Sequence, residues 1–339
     1  MSSRNTIEKI IEGIKHSLIL FMVAVTLASF AIGIFLVFFT NLGGDISWSQ
    51  NVSLDFLLIN IFGFQSPQFN LGITFLFFLS VYLICYLYCL IYPHSILRQN
   101  IFRKWNLIRT KRLQEQKSVR PEQNSNLLII AISWFSGYFL LSVIIDTIQQ
   151  LFGVTLGNPL TENALLSFFY LSAAPLNEEI LFRVLLLGVP LLLIFSPIKK
   201  GNFVLFLNHP YKFLAPNKTR YTIMCISIVI VINSVIFGMS HVFFGGGYEV
   251  GKITQAALGG LVLAWIYYRY GLATAIVFHW ISNFVFFAYS ILGFYLFGTP
   301  WNTETDSIFL SAISIGFIII GILFLYQLTT KILKKYVVN

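Results

Sequence analysis

The chain has 339 residues, of which 57% are hydrophobic and 10% are charged, and its mean hydropathy is +0.80. A soluble domain carries about 25% charged residues, so this composition excludes a protein that covers itself with polar surface in water. The net charge of +9 does not indicate a nucleic-acid partner, because the basic residues lie in the connections between apolar runs. The composition instead predicts an integral, multi-pass membrane protein whose principal surroundings are the lipid bilayer.

Eight apolar runs follow one another along the chain. They cover residues 18–40, 71–92, 127–149, 163–195, 221–244, 253–268, 271–297 and 307–330. Only a helix satisfies every backbone group within one segment in lipid, so the predicted fold class is all-α, a polytopic transmembrane helical bundle of about eight spans. The first run is longer than the apolar region of a signal peptide and is predicted to be retained. A shorter run, 54–64, is predicted to lie at the interface or to re-enter the membrane.

The basic residues predict the orientation. If the N-terminus lies inside, all but two of the 22 Lys and Arg residues fall on the inner side; Lys252 lies outside and Arg183 lies within a span. This bias predicts that both termini are cytoplasmic. The basic segment 94–125 either lies on anionic headgroups or forms a solvated loop.

Three cysteines, Cys85, Cys89 and Cys225, all lie within apolar runs and have no CxxC spacing. Free cysteine is among the residues most often buried. We therefore expect three small buried hydrophobic side chains rather than a disulfide or a metal site.

A small set of polar and ionisable residues lies within the predicted spans. These residues are Glu178, Glu179 and Arg183 in the fourth run, His241 in the fifth, and His279 and Asn283 in the seventh. An ionisable side chain within the membrane costs a few kcal/mol or more and usually has a function. This set is therefore the candidate site.

Helical spacing sorts the members of this set. Glu179 and Arg183 are four residues apart, so they can form an ion pair on one helix face. Glu178 lies about 140° around the helix from Arg183, and a histidine is its expected partner. His279 and Asn283 are also four apart and are expected to point the same way.

These residue types suit peptide hydrolysis. A carboxylate with a histidine can polarise water and shuttle its proton, and a histidine with an amide can donate hydrogen bonds to an oxyanion. Ser240 lies next to His241 but about 100° away around the helix, so it is expected to be a packing residue and not a nucleophile. A proton- or ion-coupled transporter and a purely structural polar network are the alternatives.

The order Glu-Glu-x-x-x-Arg, Phe-x-x-x-His and His-x-x-x-Asn on successive spans resembles the CPBP intramembrane proteases. That family includes the CAAX prenyl endopeptidases and bacteriocin-processing or immunity proteins, also called Abi-like. The resemblance implies an intramembrane endopeptidase whose substrate is a membrane-associated peptide or protein, in the plasma membrane of a prokaryote. A bacteriocin-immunity or scaffold role on the same fold stays open. A transporter should show inverted repeats, and none is evident.

The resemblance also implies roles for the six residues. It implies that Glu178 activates water with His241, that Glu179 and Arg183 hold the site, and that His279 and Asn283 stabilise the oxyanion. Two histidines and a glutamate could bind Zn²⁺. However, a His-Glu-x-x-His spacing is absent and asparagine is a poor zinc ligand, so chemistry without a metal or other cofactor is favoured.

The resemblance divides the chain into three regions. Residues 1–126 hold the first two spans and the basic segment, residues 127–297 form the protease core, and residues 298–339 hold the last span and a basic tail. Counting residues from the ends of the runs places His279, Glu178 and His241 at three different depths. They can meet only if the helices tilt, start deeper or break.

Overall fold

The computed structural model describes most of the chain. It covers residues 2–53, 67–91, 126–158, 160, 163–195, 203–214, 219–244, 247–301 and 308–337. The short run 54–64 and the basic segment 94–125, for which the sequence makes predictions, lie outside the described residues.

The described residues are almost all helical, which confirms the all-α bundle. The α-helices are α1 (Ser2–Phe38), α2 (Gly44–Ser49), α3 (Leu71–Ile91), α4 (Leu127–Leu151), α5 (Ala164–Glu178), α6 (Val189–Phe195), α7 (Phe203–Asn208), α8 (Pro210–Leu214), α9 (Arg220–Phe244), α10 (Gly251–Tyr270), α11 (Leu272–Trp280), α12 (Phe286–Phe297) and α13 (Ile308–Val337). Two π-helical segments, π1 (Glu179–Gly188) and π2 (Ile281–Val285), continue α5 and α11. One short antiparallel pair, β1 (Asn51–Ser53) and β2 (Gln68–Asn70), was not predicted.

Six helices in the described part of the chain are long and apolar enough to cross a membrane. They are Gly13–Phe38, Leu71–Ile91, Leu127–Leu151, Arg220–Phe244, Leu272–Phe297 and Phe309–Leu333. The remaining two predicted spans are also helical, but 164–195 changes from α to π geometry and carries the buried charges, and α10 has Lys and Arg near its two ends. Eight spans and the cytoplasmic termini therefore stay predictions.

Local sequence signals explain several helix boundaries. Asn126 precedes α4 and its side chain accepts a hydrogen bond from the Leu128 N–H, while Asn163 does the same for two N–H groups at the start of α5. Such caps satisfy donors that have no partner within the helix. Gly271, with φ of 96°, separates α10 from α11, and Gly298, with φ of 67°, ends α12. Glycine tolerates this positive φ without steric cost.

Helices α9 and α10 pack closely because glycine faces the contact. A Cβ atom on Gly238 of α9 would lie 2.6 Å from the Ile253 carbonyl oxygen, and one on Gly260 of α10 would lie 3.0 Å from the Phe237 ring. Small residues of this kind let helix backbones approach closely in membranes. The close contact keeps the Phe237 and His241 end of α9 against α10.

The three cysteines are free, as expected, but only Cys89 is fully buried, whereas Cys85 and Cys225 are half-buried.

Aromatic side chains dominate the core around the end of α11. Trp280 is fully buried and stacks on Phe30 of α1 at 4.4 Å and on Phe284 at 5.1 Å between ring centroids. Trp280, the residue after His279, is therefore held by α1 and by the following turn of its own helix.

Candidate active site

Two of the three helices that carry the candidate residues leave α geometry at those residues. The first π segment begins at Glu179, directly after Glu178, and the second covers Asn283. π segments are rare and often occur at functional sites. Hydrogen bonds in a π-helix join residues five apart. The angle between Glu178 and Arg183 predicted from the sequence assumed 3.6 residues per turn, so it does not apply through π1.

Glu179 is fully buried and bridges two basic groups. Its Oε2 accepts a hydrogen bond from Nε of Arg183 at 3.1 Å, and its Oε1 lies 2.9 Å from Nδ1 of His279. The ion pair with Arg183 is the one that the four-residue spacing predicted. The contact with His279 joins the fourth predicted span to the seventh and could not be read from spacing.

Arg183 is also fully buried, and a second helix supplies partners for it. Its Nη1 donates to Oδ1 of Asn233 at 2.6 Å, and the amide of Asn233 donates to the Phe182 carbonyl at 2.8 Å. The guanidinium carbon lies 4.7 Å from the centre of the Phe237 ring, within the range of a cation–π contact. Helix α9 thus helps to compensate the buried charge of Arg183.

Phe237 contacts Arg183 and both histidines through its ring. Its ring meets the rings of His241 and His279 edge to face, at centroid distances of 4.8 Å and 6.0 Å. Its carbonyl oxygen lies 2.8 Å from Nδ1 of His241. A carbonyl only accepts hydrogen bonds, so Nδ1 of His241 carries the proton and Nε2 remains the acceptor of the neutral ring.

One cavity of about 420 Å³ collects these side chains. Its lining includes Glu178, His241, His279 and Asn283. The sequence placed Glu178, His241 and His279 at three different depths in the membrane, but the structure brings them to the same cavity. The rest of the lining is mainly aromatic and aliphatic. It includes Tyr138, Phe169, Tyr170, Phe182, Phe237, Phe244, Tyr248 and Phe278. Glu179 and Arg183 are fully buried and lie outside this lining.

Glu178 differs from Glu179 in its access to the cavity. Its side chain is 29% exposed, whereas that of Glu179 is 0% exposed. Oε2 of Glu178 lies 3.7 Å from Nε2 of His279, too far for a good direct hydrogen bond. That oxygen is buried and has no hydrogen-bond partner among the described residues, and neither has Oδ1 of the neighbouring Asn177.

Sequence reasoning missed three contributors to this region. Asn233 was not singled out, although an amide in the middle of an apolar run is the kind of signal that identified Asn283. Asn177 and Tyr248 line the cavity, and the Tyr248 ring lies 5.7 Å from that of His241. Tyr248 comes from a loop after α9, where no periodic pattern marks it.

The fold and the buried carboxylate–imidazole cluster define the class of this protein as a polytopic helical membrane protein with a polar site inside its bundle. Residues 159–285 match the family model described as type II CAAX prenyl endopeptidase Rce1-like. The matched segment contains all six candidate residues. This match confirms the resemblance to the CPBP/CAAX protease family that the motifs indicated.

The family match supports an intramembrane protease of the CAAX type in a multi-pass membrane protein. No curated protein and no solved structure matches the chain. The matched segment lies within the region 127–297 assigned to the protease core. The boundaries of the three regions stay predictions.

Proposed function

We propose that this protein is an intramembrane endopeptidase that hydrolyses a peptide bond with a water molecule activated by Glu178 and His241, while His279 and Asn283 stabilise the oxyanion. The observation that carries the proposal is the shared cavity, which brings these four side chains from three helices to one place. Its volume of about 420 Å³ and its mainly apolar lining suit a few residues of an extended peptide.

The unpartnered oxygen of Glu178 supports its role as the base. A buried carboxylate oxygen without a hydrogen-bond donor is costly. A water molecule or a substrate group in the cavity would supply that donor. The partial exposure of Glu178 gives such a molecule access, which Glu179 does not have.

The tautomer of His241 supports a part in the same proton transfer. With Nδ1–H donated to the Phe237 carbonyl, Nε2 is left as a proton acceptor in the neutral ring. Water positioned between Glu178 and His241 would lose one proton as its oxygen attacks the carbonyl carbon of the peptide. The same proton would then pass to the leaving nitrogen when the C–N bond breaks, which balances the reaction.

The environment of His279 supports oxyanion stabilisation. Glu179 accepts a hydrogen bond from Nδ1 of His279 and fixes the orientation of the ring. In its protonated form the ring would donate from Nε2 as well. The charges of His279, Arg183, Glu178 and Glu179 would then sum to zero, which lowers the cost of burying them together. Asn283, one turn further along, would add a second donor from its amide.

We further propose that the reaction needs no metal ion. Among the described residues, no group of three or more His, Cys, Asp or Glu side chains is arranged to hold a metal. Dialysis against a chelator should leave turnover unchanged, and restoration of lost turnover by Zn²⁺ would overturn this part of the proposal.

The substrate class follows from the family match only as a proposal. Membrane-anchored peptides with C-terminal CAAX sequences, prenylated and unprenylated, form the panel to test first in proteoliposomes. Wild-type protein should cleave at least one of them, and Glu178→Gln should not. Ser240→Ala is the matched control, because Ser240 also lines the cavity but its hydroxyl donates to the Phe237 carbonyl and has no proposed role.

The same experiment separates the proposal from a binding or immunity role. A Glu178→Gln variant that captures a peptide without cutting it, where the wild type cuts it, supports hydrolysis. Equal turnover by Glu178→Gln and wild type would refute the assignment of the base. Loss of turnover in Ser240→Ala with normal folding would instead show that Ser240 takes part in the reaction, directly or through the Phe237 carbonyl that it shares with His241.

A further inference from the structure

The hydroxyl group of Tyr82 in α3 contacts the backbone of α5 at two atoms. It donates a hydrogen bond to the Ser172 carbonyl oxygen at 2.5 Å and accepts one from the Leu176 N–H at 3.3 Å. Tyr82 is 1% exposed, so water does not compete for these contacts.

The two backbone atoms are the pair that a regular α-helix joins, because the N–H of residue 176 points at the carbonyl of residue 172. Pro175 lies between them in the sequence and has no N–H of its own. A polar group inserted into the helical hydrogen-bond ladder is one of the recognised causes of a local change in helix geometry. Tyr82 therefore contacts α5 at the turn in which Pro175 lacks a backbone donor.

This turn directly precedes the candidate site. Glu178 is two residues after Leu176, and π1 begins at Glu179, whose N–H is shared between the carbonyls of Leu176 and Pro175. A small change in the path of the helix at residues 172–176 would move both carboxylates. Displacements of about 1 Å at a catalytic group can lower rates about 100-fold.

We propose that Tyr82 is a positioning residue for Glu178 and Glu179, contributed by a helix that lies outside the family-matched segment 159–285. The inference rests on the proposed function, because it concerns how the carboxylates reach their working geometry. It gives α3 a part in the geometry of the site.

The packing of the Tyr82 ring supports a fixed position for its hydroxyl group. The ring stacks near Phe78 of its own helix at 6.4 Å and lies 6.1 Å from the Trp280 ring, next to His279. Replacement by phenylalanine would keep these ring contacts and remove only the two hydrogen bonds. The effect of Tyr82→Phe can therefore be assigned to the hydroxyl.

Tyr86 offers a matched control on the same helix, one turn further along. It is also buried, and its hydroxyl donates to a backbone carbonyl, that of Val23 in α1, at 2.9 Å. That carbonyl is remote in sequence from the site. Both variants should be purified, compared for thermal stability in detergent, and assayed with a substrate that wild-type protein cleaves.

We expect Tyr82→Phe to lower kcat by about 10- to 100-fold with KM changed less than about twofold, while Tyr86→Phe keeps the wild-type kcat. The two variants should lose similar amounts of thermal stability. Wild-type kcat in Tyr82→Phe, or equal losses of kcat in both variants, would overturn the proposal and leave Tyr82 a structural residue.

A second pair of variants covers the case in which Tyr82→Phe does not fold. 4-Aminophenylalanine at position 82 keeps a donor for the Ser172 carbonyl, whereas 4-methylphenylalanine has the same size and no donor. The proposal expects a higher kcat for the amino variant, and equal values would overturn it. Glu178→Gln, which keeps Tyr82 intact, tests the proposed function separately in the same assay.

Discussion

Nδ1 of His279 lies 2.9 Å from Oε1 of Glu179, whose other oxygen is held by Arg183 at 3.1 Å. Glu179 therefore does more than neutralise Arg183 on its own helix. It connects π1 to α11 and sets the orientation of the imidazole that faces Glu178. A substitution of Glu179 should consequently disturb both the folding of the bundle and the geometry of the site.

We predict that Glu179→Gln destabilises the protein by about 3–5 kcal/mol, because it leaves the fully buried Arg183 without its counter-charge. Glu178→Gln should abolish turnover and lose much less stability, since Glu178 is partly exposed and, within the described part of the chain, its Oε2 has no hydrogen-bond donor to lose. Unfolding in detergent and turnover of the same substrate measure the two effects. Equal losses of stability in the two variants would contradict this division of roles.

We predict that Asn233→Ala destabilises the protein by about 2–3 kcal/mol, because Nη1 of Arg183 loses a buried acceptor and Nη2 already lacks one among the residues that the structure describes. The neighbouring variant Ser234→Ala is the control. Ser234 is also buried, but its hydroxyl donates only within its own helix, to the Ile230 carbonyl. Thermal unfolding of the two variants should differ, and similar midpoints would show that Asn233 contributes little to the compensation of Arg183.

His209, between α7 and α8, predicts a pH dependence of stability. Burial lowers the pKa of His209 from 6.5 to about 4, and the nearby charges of Lys212 and Arg269 add to this effect. Between these two pH values the unfolded chain binds a proton that the folded protein does not. The contribution of His209 to the free energy of unfolding is therefore fully present above pH 6.5. It is lost as the pH falls towards 4.

The measurement compares thermal unfolding of wild type and His209→Gln at pH 7.5 and pH 5. The wild type should lose more stability than the variant over this interval, because glutamine does not titrate. Background titration of other groups is common to both proteins and cancels in the comparison. An identical pH dependence in both would show that His209 is not buried in its neutral form.

The predicted orientation can be tested at the segment between the last two predicted spans. In a protein whose three cysteines are replaced, a single cysteine introduced by Thr303→Cys should react with a membrane-impermeant reagent added to intact cells. The expectation follows from the bias of Lys and Arg residues to the opposite side. Reaction only after permeabilisation would reverse the assigned orientation.

Much of this architecture is encoded locally. Long apolar runs predict helices because lipid leaves no other partner for the backbone. The structure has helices at all eight runs, with a change from α to π geometry within the fourth and the seventh. The Glu179–Arg183 pair could also be anticipated, because residues four apart share a helix face. The two-stranded hairpin β1–β2 and the π segments were not anticipated, since no apolar period marks them.

The sequence by itself determined which residues need partners inside the membrane, because the cost of removing a charge from water is set by the side chain itself. Only the tertiary structure decided how they are satisfied. Contacts such as Glu179 with His279, Arg183 with Asn233, and Tyr82 with Ser172 and Leu176 join residues separated by 50 to 100 positions. Such pairings depend on how helices pack and where they leave α geometry, which the periodicity of any single helix does not record.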